Sequence, residues 1–223
     1  MKCLAVNTAT TTLSLALVEG ESLLCLYEIA ETRDQGNLLM GHIQKALRQH
    51  NVSFAGLDVL AVVTGPGSFT GIRIGLAAMR GIALAANKPL IGFSSFDMFG
   101  VRESDAMNIV AVESWREELY FAVFDEEGHP MMACMNATPE VFLQRFRQEL
   151  PGYHKIVLSG DARAAIAPLF PQAAVAEVEG NAVNVARLAL QKFKKTDVFA
   201  RPVPYYLREA DVTISAKTPK TLL

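Results

Sequence analysis

The stretch that decides the fold is Thr64–Arg80, TGPGSFTGIRIGLAAMR. It follows an apolar run, Val59–Val63, which has the length and the β-branched content of a buried strand. The turn Gly65–Gly67 joins two glycines through a proline, and glycine permits backbone angles that other residues avoid. Ser68 or Thr70 can cap a following helix through its side-chain oxygen. The stretch therefore predicts a strand that turns sharply into a helix.

The glycine-rich turn is also a candidate anion site. A strand-to-helix turn of this kind points backbone N–H groups at a common spot. The residues concerned are Gly65, Gly67, Ser68, Thr70 and Gly71. The turn is not a P-loop, since no Gly-Lys-Ser/Thr follows, and it lacks the GxGxxG spacing. Two interpretations stay open, an anion-binding loop and a tight turn that only starts a helix.

The predicted helix Ile72–Ala86 is apolar nearly all round, apart from Arg73 and Arg80 on one face. Such a helix must be buried on two sides. Each glycine inside a helix lowers the stability of that helix by roughly 1 kcal/mol relative to alanine. The presence of several glycines therefore suggests that another backbone approaches the helix closely. We expect one side to pack on the sheet and the other to meet a neighbouring helix or a second protein. The predicted helix is too short to span a bilayer.

Working outward from this stretch, the first hundred residues alternate between strand and helix patterns. The predicted strands are Cys3–Val6, Leu13–Val18, Leu23–Ile29, Val59–Val63 and Leu90–Phe93, and the predicted helices are Asn37–His50 and Ile72–Ala86. This order implies a mixed sheet covered by helices, and thus an α/β fold.

The opening pattern occurs a second time at an offset of 106 residues. Ala5-Val6-Asn7-Thr8 falls on Ala111-Val112-Glu113-Ser114, and Leu13 falls on Leu119. Two strands separated by a polar turn therefore recur, which predicts two copies of one α/β unit.

The repeat divides the chain into parts. We predict a first lobe over residues 1–104, a smaller second lobe over 105–195 with helices near Pro139–Leu150 and Asn181–Lys194, and a C-terminal segment over 196–223. Within that segment, Pro202–Arg208 reads as extended chain that packs back on the first lobe.

Composition excludes several classes of protein. The formal net charge is −2, from 21 Lys and Arg against 23 Asp and Glu, whereas a free-standing nucleic-acid binder carries a basic surplus. Any work on RNA is therefore expected to go through a partner. The three cysteines form no CxxC pair and read as core residues of a reducing compartment. The N-terminus lacks a signal-peptide pattern, so a cytoplasmic protein without membrane contact is expected.

No metal site or protease centre is expected. The four histidines form no HExxH motif, and no GxSxG elbow is present. A lone carboxylate such as Glu113, after a strand, is more often a turn residue than a catalyst.

Four segments together resemble the TsaB (YeaZ) family. They are GPGSFTGIRIG at 65–75, PLIGFSS at 89–95, AVESWREELYFAVF at 111–124 and Tyr206-Leu207-Arg208. The resemblance implies the actin-like ATPase (ribonuclease H-like) superfold, with two duplicated lobes that each hold a mixed sheet flanked by helices. It also implies pairing with TsaD, which transfers threonylcarbamoyl to the adenosine next to the anticodon of tRNAs that read ANN codons. TsaE, a small ATPase, joins the two.

By this resemblance the chain is a non-catalytic scaffold, and its pairing surface is the two first-lobe helices. The expected partner-binding residues are Leu39, Met40, Ile43, Arg73, Gly75, Met79 and Arg80. A bulky residue at Gly75 is expected to abolish pairing and leave the lobe folded. No cofactor is required by this chain, and ATP or ADP is expected only at the joint with TsaD. Alone, the chain is expected to form a homodimer, because the apolar helix pair would pair with itself.

The degenerate nucleotide-site positions are Asn7, Thr8 and Glu113, and the sequence departs from the family pattern at Asn7 and at Glu113. Asn7 stands where an aspartate commonly supports a hydrated metal, and a neutral amide is a weaker ligand for a hard cation. Gln35-Gly36 and Trp115 are further departures. Two alternatives remain, a small-molecule kinase of the same superfold and a homodimeric interaction module with no tRNA role.

Overall fold

The computed structural model describes residues 1–29, 35–101, 103, 105–152, 155–196 and 198–208, and of residues 35–37 it describes the backbone alone. The side chains of the Gln35-Gly36 departure, and residues 209–223 of the predicted C-terminal segment, therefore lie outside the described part of the chain.

The described residues form two five-stranded sheets. The first holds β1 (Lys2–Asn7), β2 (Leu13–Glu19), β3 (Ser22–Ile29), β4 (Val59–Val63) and β5 (Leu90–Phe93), with helices α1 (Gln35–Gln49), α2 (Phe69–Ala86) and α3 (Ser95–Phe99). The second holds β6 (Met107–Val112), β7 (Leu119–Phe124), β8 (Met135–Ala137), β9 (Ile156–Ser159) and β10 (Ala174–Val175), with α4 (Pro139–Glu149) and α5 (Arg163–Ile166). Helix α6 (Ala182–Phe193) follows.

The two sheets have the same topology, which confirms that the α/β unit is duplicated. The strand order is β3-β2-β1-β4-β5 in the first sheet and, read in the same sense, β8-β7-β6-β9-β10 in the second. In each, two antiparallel pairs are followed by two parallel pairs. The repeated sequence falls on β1 and β2 in one sheet and on β6 and β7 in the other.

The centre of the first sheet is buried on both faces. Every residue of β4 is buried, as are all residues of β1 after Lys2, because helices cover the strands from two sides. On one face Val62 lies against Gly75 of α2. On the other face the side chain of Ser14 accepts a hydrogen bond from the backbone N–H of Ala182, the first residue of α6, at 2.9 Å. The sheet is therefore a middle layer between helices.

Helix α6 packs on the first sheet, and this corrects its predicted place in the second lobe. Its buried residues share one core with β1, β2 and β4. They are Ala182, Val183, Val185, Ala186, Ala189 and Leu190. Sequence order suggested the second lobe because the helix follows β10, whereas the apolar stripe of α6 matches the uncovered face of the first sheet.

Helix α2 begins at Phe69, three residues before the predicted start, because Ser68 caps it. The Ser68 side chain accepts a hydrogen bond from the Gly71 N–H at 3.2 Å, and Asn87 ends the helix in the left-handed conformation at φ 50°. At 18 residues this helix is long and apolar enough, by length and composition alone, to cross a membrane, which the shorter predicted helix was not. One of its faces lies in the core of the first lobe, as in a core helix.

The glycines of α2 have different surroundings. A β-carbon on Gly75 would lie 2.3 Å from the Thr8 hydroxyl oxygen, whereas a β-carbon on Gly81 would meet no atom within 4 Å. The segment that approaches Gly75 closely is therefore the chain's own β1–β2 turn. The expectation that Gly75 meets a partner, and that a bulky residue there would leave the lobe folded, is wrong for this steric reason.

We predict that Gly75→Ala and Gly81→Ala change stability in opposite directions. The first substitution forces Thr8 to move and should lower the free energy of unfolding by about 1–3 kcal/mol. The second should raise it by up to about 1 kcal/mol, because alanine favours the helix and nothing obstructs it. Urea denaturation measures the free energy of unfolding of both variants, and their m-values should equal that of the wild type. Equal midpoints for the two variants would contradict the packing of α2 on Thr8.

Candidate functional site

Asn7 closes the β1–β2 turn with its own side chain. The amide oxygen accepts a hydrogen bond from the Ala9 N–H at 2.9 Å, and the amide nitrogen donates to the Thr10 hydroxyl at 2.7 Å. Asn7 is fully buried. An aspartate could accept both the Ala9 N–H and the Thr10 hydroxyl, but it could not donate to the Thr12 carbonyl, which lies 3.5 Å from the Asn7 amide nitrogen. The carboxamide at this position therefore has a structural explanation.

The β1–β2 turn is fastened to the start of α2. Thr8 is fully buried and its hydroxyl donates to the Gly71 carbonyl at 2.7 Å. The N–H of Ser68 donates to the Ala9 carbonyl at 2.7 Å. Gly67 has a φ of 152°, and a β-carbon there would lie 2.1 Å from the Ala9 carbonyl oxygen. Glycine is therefore required at residue 67 by the close approach of two backbones.

The same loop holds the C-terminal segment. Gly65 has a φ of 110°, and a β-carbon there would lie 2.5 Å from the Tyr205 carbonyl oxygen. The Tyr205 N–H donates to the Thr64 carbonyl at 2.8 Å. The Gly65–Pro66 peptide bond is cis, and the Pro66 carbonyl accepts from the Ser95 hydroxyl at 2.6 Å. The loop is therefore a junction of three chain segments.

Of the two interpretations of the glycine-rich turn, these contacts favour the structural one. The Ser68 N–H, a donor that an anion would need, is bonded to the Ala9 carbonyl. The Gly71 N–H is bonded to the Ser68 side chain. Thr70 is exposed at the first turn of α2.

The end of β1 does not fit a nucleotide with its metal ion. Asn7 supplies no carboxylate, and Asn7 and Thr8 are both buried and hydrogen-bonded within the chain. The nearby cleft of about 900 Å³ is reached instead by Thr10–Thr12. Its charged lining is mixed in sign, with Glu28, Asp161, Arg163, Glu177, Glu179 and Arg187. Such a lining does not favour a polyphosphate over other ligands.

Glu113, the third degenerate position, holds a turn together. Its carboxylate accepts a hydrogen bond from the Trp115 N–H at 2.7 Å, and its own N–H donates to the Asp161 carboxylate at 2.8 Å. The Glu113 side chain is half-buried. These contacts are those of a residue that stabilises a turn, and they indicate no catalytic role for Glu113.

Asp161 is the carboxyl group that sequence reasoning missed. It follows Gly160 at the carboxyl end of β9, beside the end of β6, and one of its oxygens is buried without a hydrogen-bond partner among the described residues. Burial raises the pKa of Asp161 to about 6; the Glu113 N–H opposes this rise, and the Glu113 charge adds to it. The local signal was a Gly-Asp pair directly after a strand.

One group among the described residues has the spacing of metal ligands, on the loop between β7 and β8. It consists of Asp125, Glu127 and His129. Asp125 already accepts the His129 N–H at 2.7 Å, and its other oxygen lies 3.2 Å from the His129 Nδ1. Glu127 and His129 are exposed. These bonds close a surface turn, and nothing further marks the loop as a cation site.

The seven predicted partner-binding residues lie in three different surroundings. Leu39, Ile43, Gly75 and Met79 are buried inside the first lobe. They are core residues and cannot contact a partner while the lobe is folded, which corrects the prediction for these four. The prediction was based on the apolar residues of both helices, and the sequence alone does not show which face of each helix packs on the sheet.

The two predicted arginines contact the C-terminal segment. The Arg73 guanidinium lies 3.7 Å from the centre of the Phe69 ring, and its Nε donates to the Tyr206 hydroxyl at 3.2 Å. Arg80 donates to the Pro202 carbonyl. Both side chains therefore help to hold residues 202–206 against α2.

Met40 is the predicted partner residue that borders an exposed apolar groove. The groove lies between α1, α2 and the short turn Phe54–Gly56 and has a volume of about 610 Å³. Its lining consists of Met40, Phe54, Ala55, Ala77, Ala78, Gly81, Ile82, Ala85 and Ala86. Leu84, on the same helix, is 86% exposed. The signal in the sequence was the small residues Ala77, Gly81 and Ala85, four apart on one helical face.

Comparison with known proteins finds a match to a TsaD family model and relatives named TsaB. Residues 29–179 match the family model of TsaD, tRNA N6-adenosine threonylcarbamoyltransferase. The tRNA threonylcarbamoyladenosine biosynthesis protein TsaB of Escherichia coli is 31% identical over 156 residues, which are 66% of this chain and 67% of the relative.

Two solved structures confirm the predicted superfold. YeaZ from Pseudomonas aeruginosa superposes with a TM-score of 0.73 at 22% identity, over 92% of this chain and 99% of that one. The activator of 2-hydroxyisocaproyl-CoA dehydratase from Clostridium difficile, with bound ADPNP, gives a TM-score of 0.51 at 10% identity, over 90% of this chain and 100% of that one. The fold is that of the actin-like, ribonuclease H-like ATPases.

We predict that Asp161 makes stability depend on pH. Its pKa is about 6 in the folded chain against 3.8 for the ordinary group, so the folded state keeps a proton that the unfolded state loses. Wild type should lose about 3 kcal/mol relative to Asp161→Asn as the pH rises from about 4 through about 6. Denaturation of both chains across this range measures the difference. A wild-type stability that stays constant relative to Asp161→Asn, or that increases relative to it as the pH rises, would contradict the assignment.

Proposed function

Because the chain belongs to the TsaB (YeaZ) family, we propose that it is the accessory subunit that pairs with TsaD in the synthesis of threonylcarbamoyladenosine in tRNA. The name of the Escherichia coli relative supports a role in this biosynthesis. The observation that carries the pairing is the apolar groove between α1 and α2.

The groove has the properties of a protein-binding surface. It is lined by apolar residues, of which Met40 is 36% exposed. Monomeric soluble proteins rarely leave a continuous apolar surface uncovered, so this one is expected to have a partner. Ala77, Gly81 and Ala85 leave room for the backbone of a partner helix to come close. The family resemblance supports the proposal that pairing with TsaD uses these two helices.

The β1–β2 turn supports a role without chemistry of its own. Asn7 supplies no carboxylate for a metal ion, and its carboxamide is bonded within the turn. A small-molecule kinase of this superfold would need such a carboxylate. We therefore propose that transfer occurs in TsaD, that TsaE joins the pair, and that any ATP or ADP lies at the joint with TsaD. The complex would work in the cytoplasm, and without TsaD the groove would pair two copies of this chain.

The test compares wild type with Gly81→Leu in co-purification with the TsaD of the same organism. The isolated chain has open space at Gly81, so the leucine should fill the groove without disturbing the fold. We expect the affinity for TsaD to fall more than tenfold, because the partner helix can no longer approach.

Gly41→Leu is the matched control. Gly41 also has no atom within 4 Å of a β-carbon, and it does not line the groove. Pairing should survive this change. If Gly81→Leu retains full affinity, the groove is not the TsaD surface; if wild type does not bind TsaD at all, the proposed function is wrong.

A further inference from the structure

Asp161, after β9, is hydrogen-bonded to the turn between β6 and β7, residues 113–118, which we call the β6–β7 turn. The Oδ1 of Asp161 accepts the Glu113 N–H at 2.8 Å. The Oδ2 is buried and has no hydrogen-bond partner among the described residues. A neutral carboxyl group tolerates such a position far better than a carboxylate, because a buried charge without a donor is much more costly. The contacts in the structure therefore suit the protonated form of Asp161.

A second carboxyl group lies in the same turn. The Glu113 carboxylate accepts the Trp115 N–H at 2.7 Å, so the residue whose N–H binds Asp161 also holds Trp115 through its side chain. Burial raises the pKa of Asp161 to about 6, and the charge on Glu113 adds to the rise. Ionisation of Asp161 places a second negative charge beside Glu113, and like charges repel. A change of charge at Asp161 therefore acts on the residue that holds Trp115.

The backbone of Trp115 depends on these contacts. Trp115 has a φ of 58°, a left-handed conformation that residues with a β-carbon seldom adopt. Such a conformation persists only where the surroundings impose it. A second contact across the turn runs from the Ser114 hydroxyl to the Glu118 carbonyl. Weakening the contact with Glu113 therefore lets the Trp115 backbone return to a commoner conformation.

An ionised Asp161 has a route to water, because this residue also lines the cleft of about 900 Å³. A carboxylate that turns into the cleft moves away from Glu113, the charged residue of the β6–β7 turn to which it is bonded. In the cleft it meets water and two cations, and these supply the donors that Oδ2 lacks. The other charged residues that line the cleft are the cations Arg163 and Arg187 and the anions Glu28, Glu177 and Glu179.

We propose that Asp161 is a proton-dependent switch for the β6–β7 turn. Protonated Asp161 keeps its bond to the Glu113 N–H and holds the turn closed, as in the structure. Ionised Asp161 turns into the cleft, gives up that bond and releases Trp115. The closed turn binds the proton more tightly than the open turn, in which the carboxyl group is hydrated, so the open turn gains population as the pH rises. The switch does not depend on pairing with TsaD.

Hydrogen exchange of the Glu113 amide in the full-length chain measures the opening directly. The pKa of Asp161 is about 6 in the closed turn and 3.8 for the ordinary group. These two values limit the change in the ratio of open to closed turn to roughly 150-fold. The protection factor of the Glu113 amide should fall by about tenfold or more as the pH rises from about 4 to about 7. A protection factor that stays constant over this range would overturn the proposal.

The fluorescence of Trp115, the single tryptophan, gives a second signal from the same turn. Its emission should change in one transition with a midpoint between the two pKa values. Asp161→Asn keeps an oxygen for the Glu113 N–H and cannot ionise. The emission of this variant should match that of wild type at about pH 4 and stay there as the pH rises. Emission that titrates equally in the two chains would overturn the proposal.

Glu113→Gln tests the repulsion between the two carboxyl groups. Glutamine can still accept the Trp115 N–H, but it carries no charge, so the midpoint of the Trp115 transition should move to lower pH. Glu117→Gln removes an exposed carboxylate from the same turn and is the matched control; its midpoint should equal that of wild type. An unchanged midpoint in Glu113→Gln would contradict the proposal, and this comparison decides it if Asp161→Asn does not fold.

Two further outcomes separate the switch from a general loss of stability. Far-UV circular dichroism of wild type should stay constant over the same range, because only the turn opens. A loss of this signal in parallel with the Trp115 transition would show global unfolding and overturn the switch. Stability that falls with rising pH while the Glu113 amide and Trp115 stay unchanged would also overturn the switch, and it would leave the raised pKa of Asp161 in place.

Discussion

The contact on which the rest of the first lobe depends is the approach of Gly67 to the Ala9 carbonyl. Any side chain at residue 67 would overlap that oxygen, and the Ser68 N–H is bonded to it at 2.7 Å. This contact fixes the β1–β2 turn on the first residues of α2. Thr8 then reaches the Gly71 carbonyl and lies over Gly75. A turn held in this way serves the packing of a helix, which agrees with our proposal that the chain performs no nucleotide chemistry alone.

The contacts on one side of α2 determine which of its residues are exposed on the other side. Its buried face meets the sheet and the β1–β2 turn, and its small residues on the opposite face remain open beside Met40. The arginines at residues 73 and 80 hold the C-terminal segment, which brings Tyr206 beside Trp115. The apolar groove and the position of the C-terminal segment are therefore two consequences of the same helix placement.

Local pattern predicted much of the fold, because Val59–Val63, the glycine turn and the repeated strand pair are all short-range signals. The predicted superfold and duplication are confirmed, and the division at residues 104 and 105 stays a prediction. Contact surfaces were harder to predict. Gly75 and Gly81 look alike in sequence, and only the tertiary position of Thr8 separates a core glycine from an open one. Trp115 and Tyr206 are far apart in sequence and line one cavity only because of the fold, so no local motif could predict that they lie close together.

We propose that this chain supports catalysis by TsaD and performs none itself. The most direct measurement is threonylcarbamoyladenosine formation on an unmodified tRNA, with threonylcarbamoyl-adenylate supplied, using purified TsaD, TsaE and this chain in every combination. The account predicts no product from this chain alone and product that depends on its presence with TsaD. Product from this chain without TsaD, or an undiminished rate when it is left out, would contradict the account.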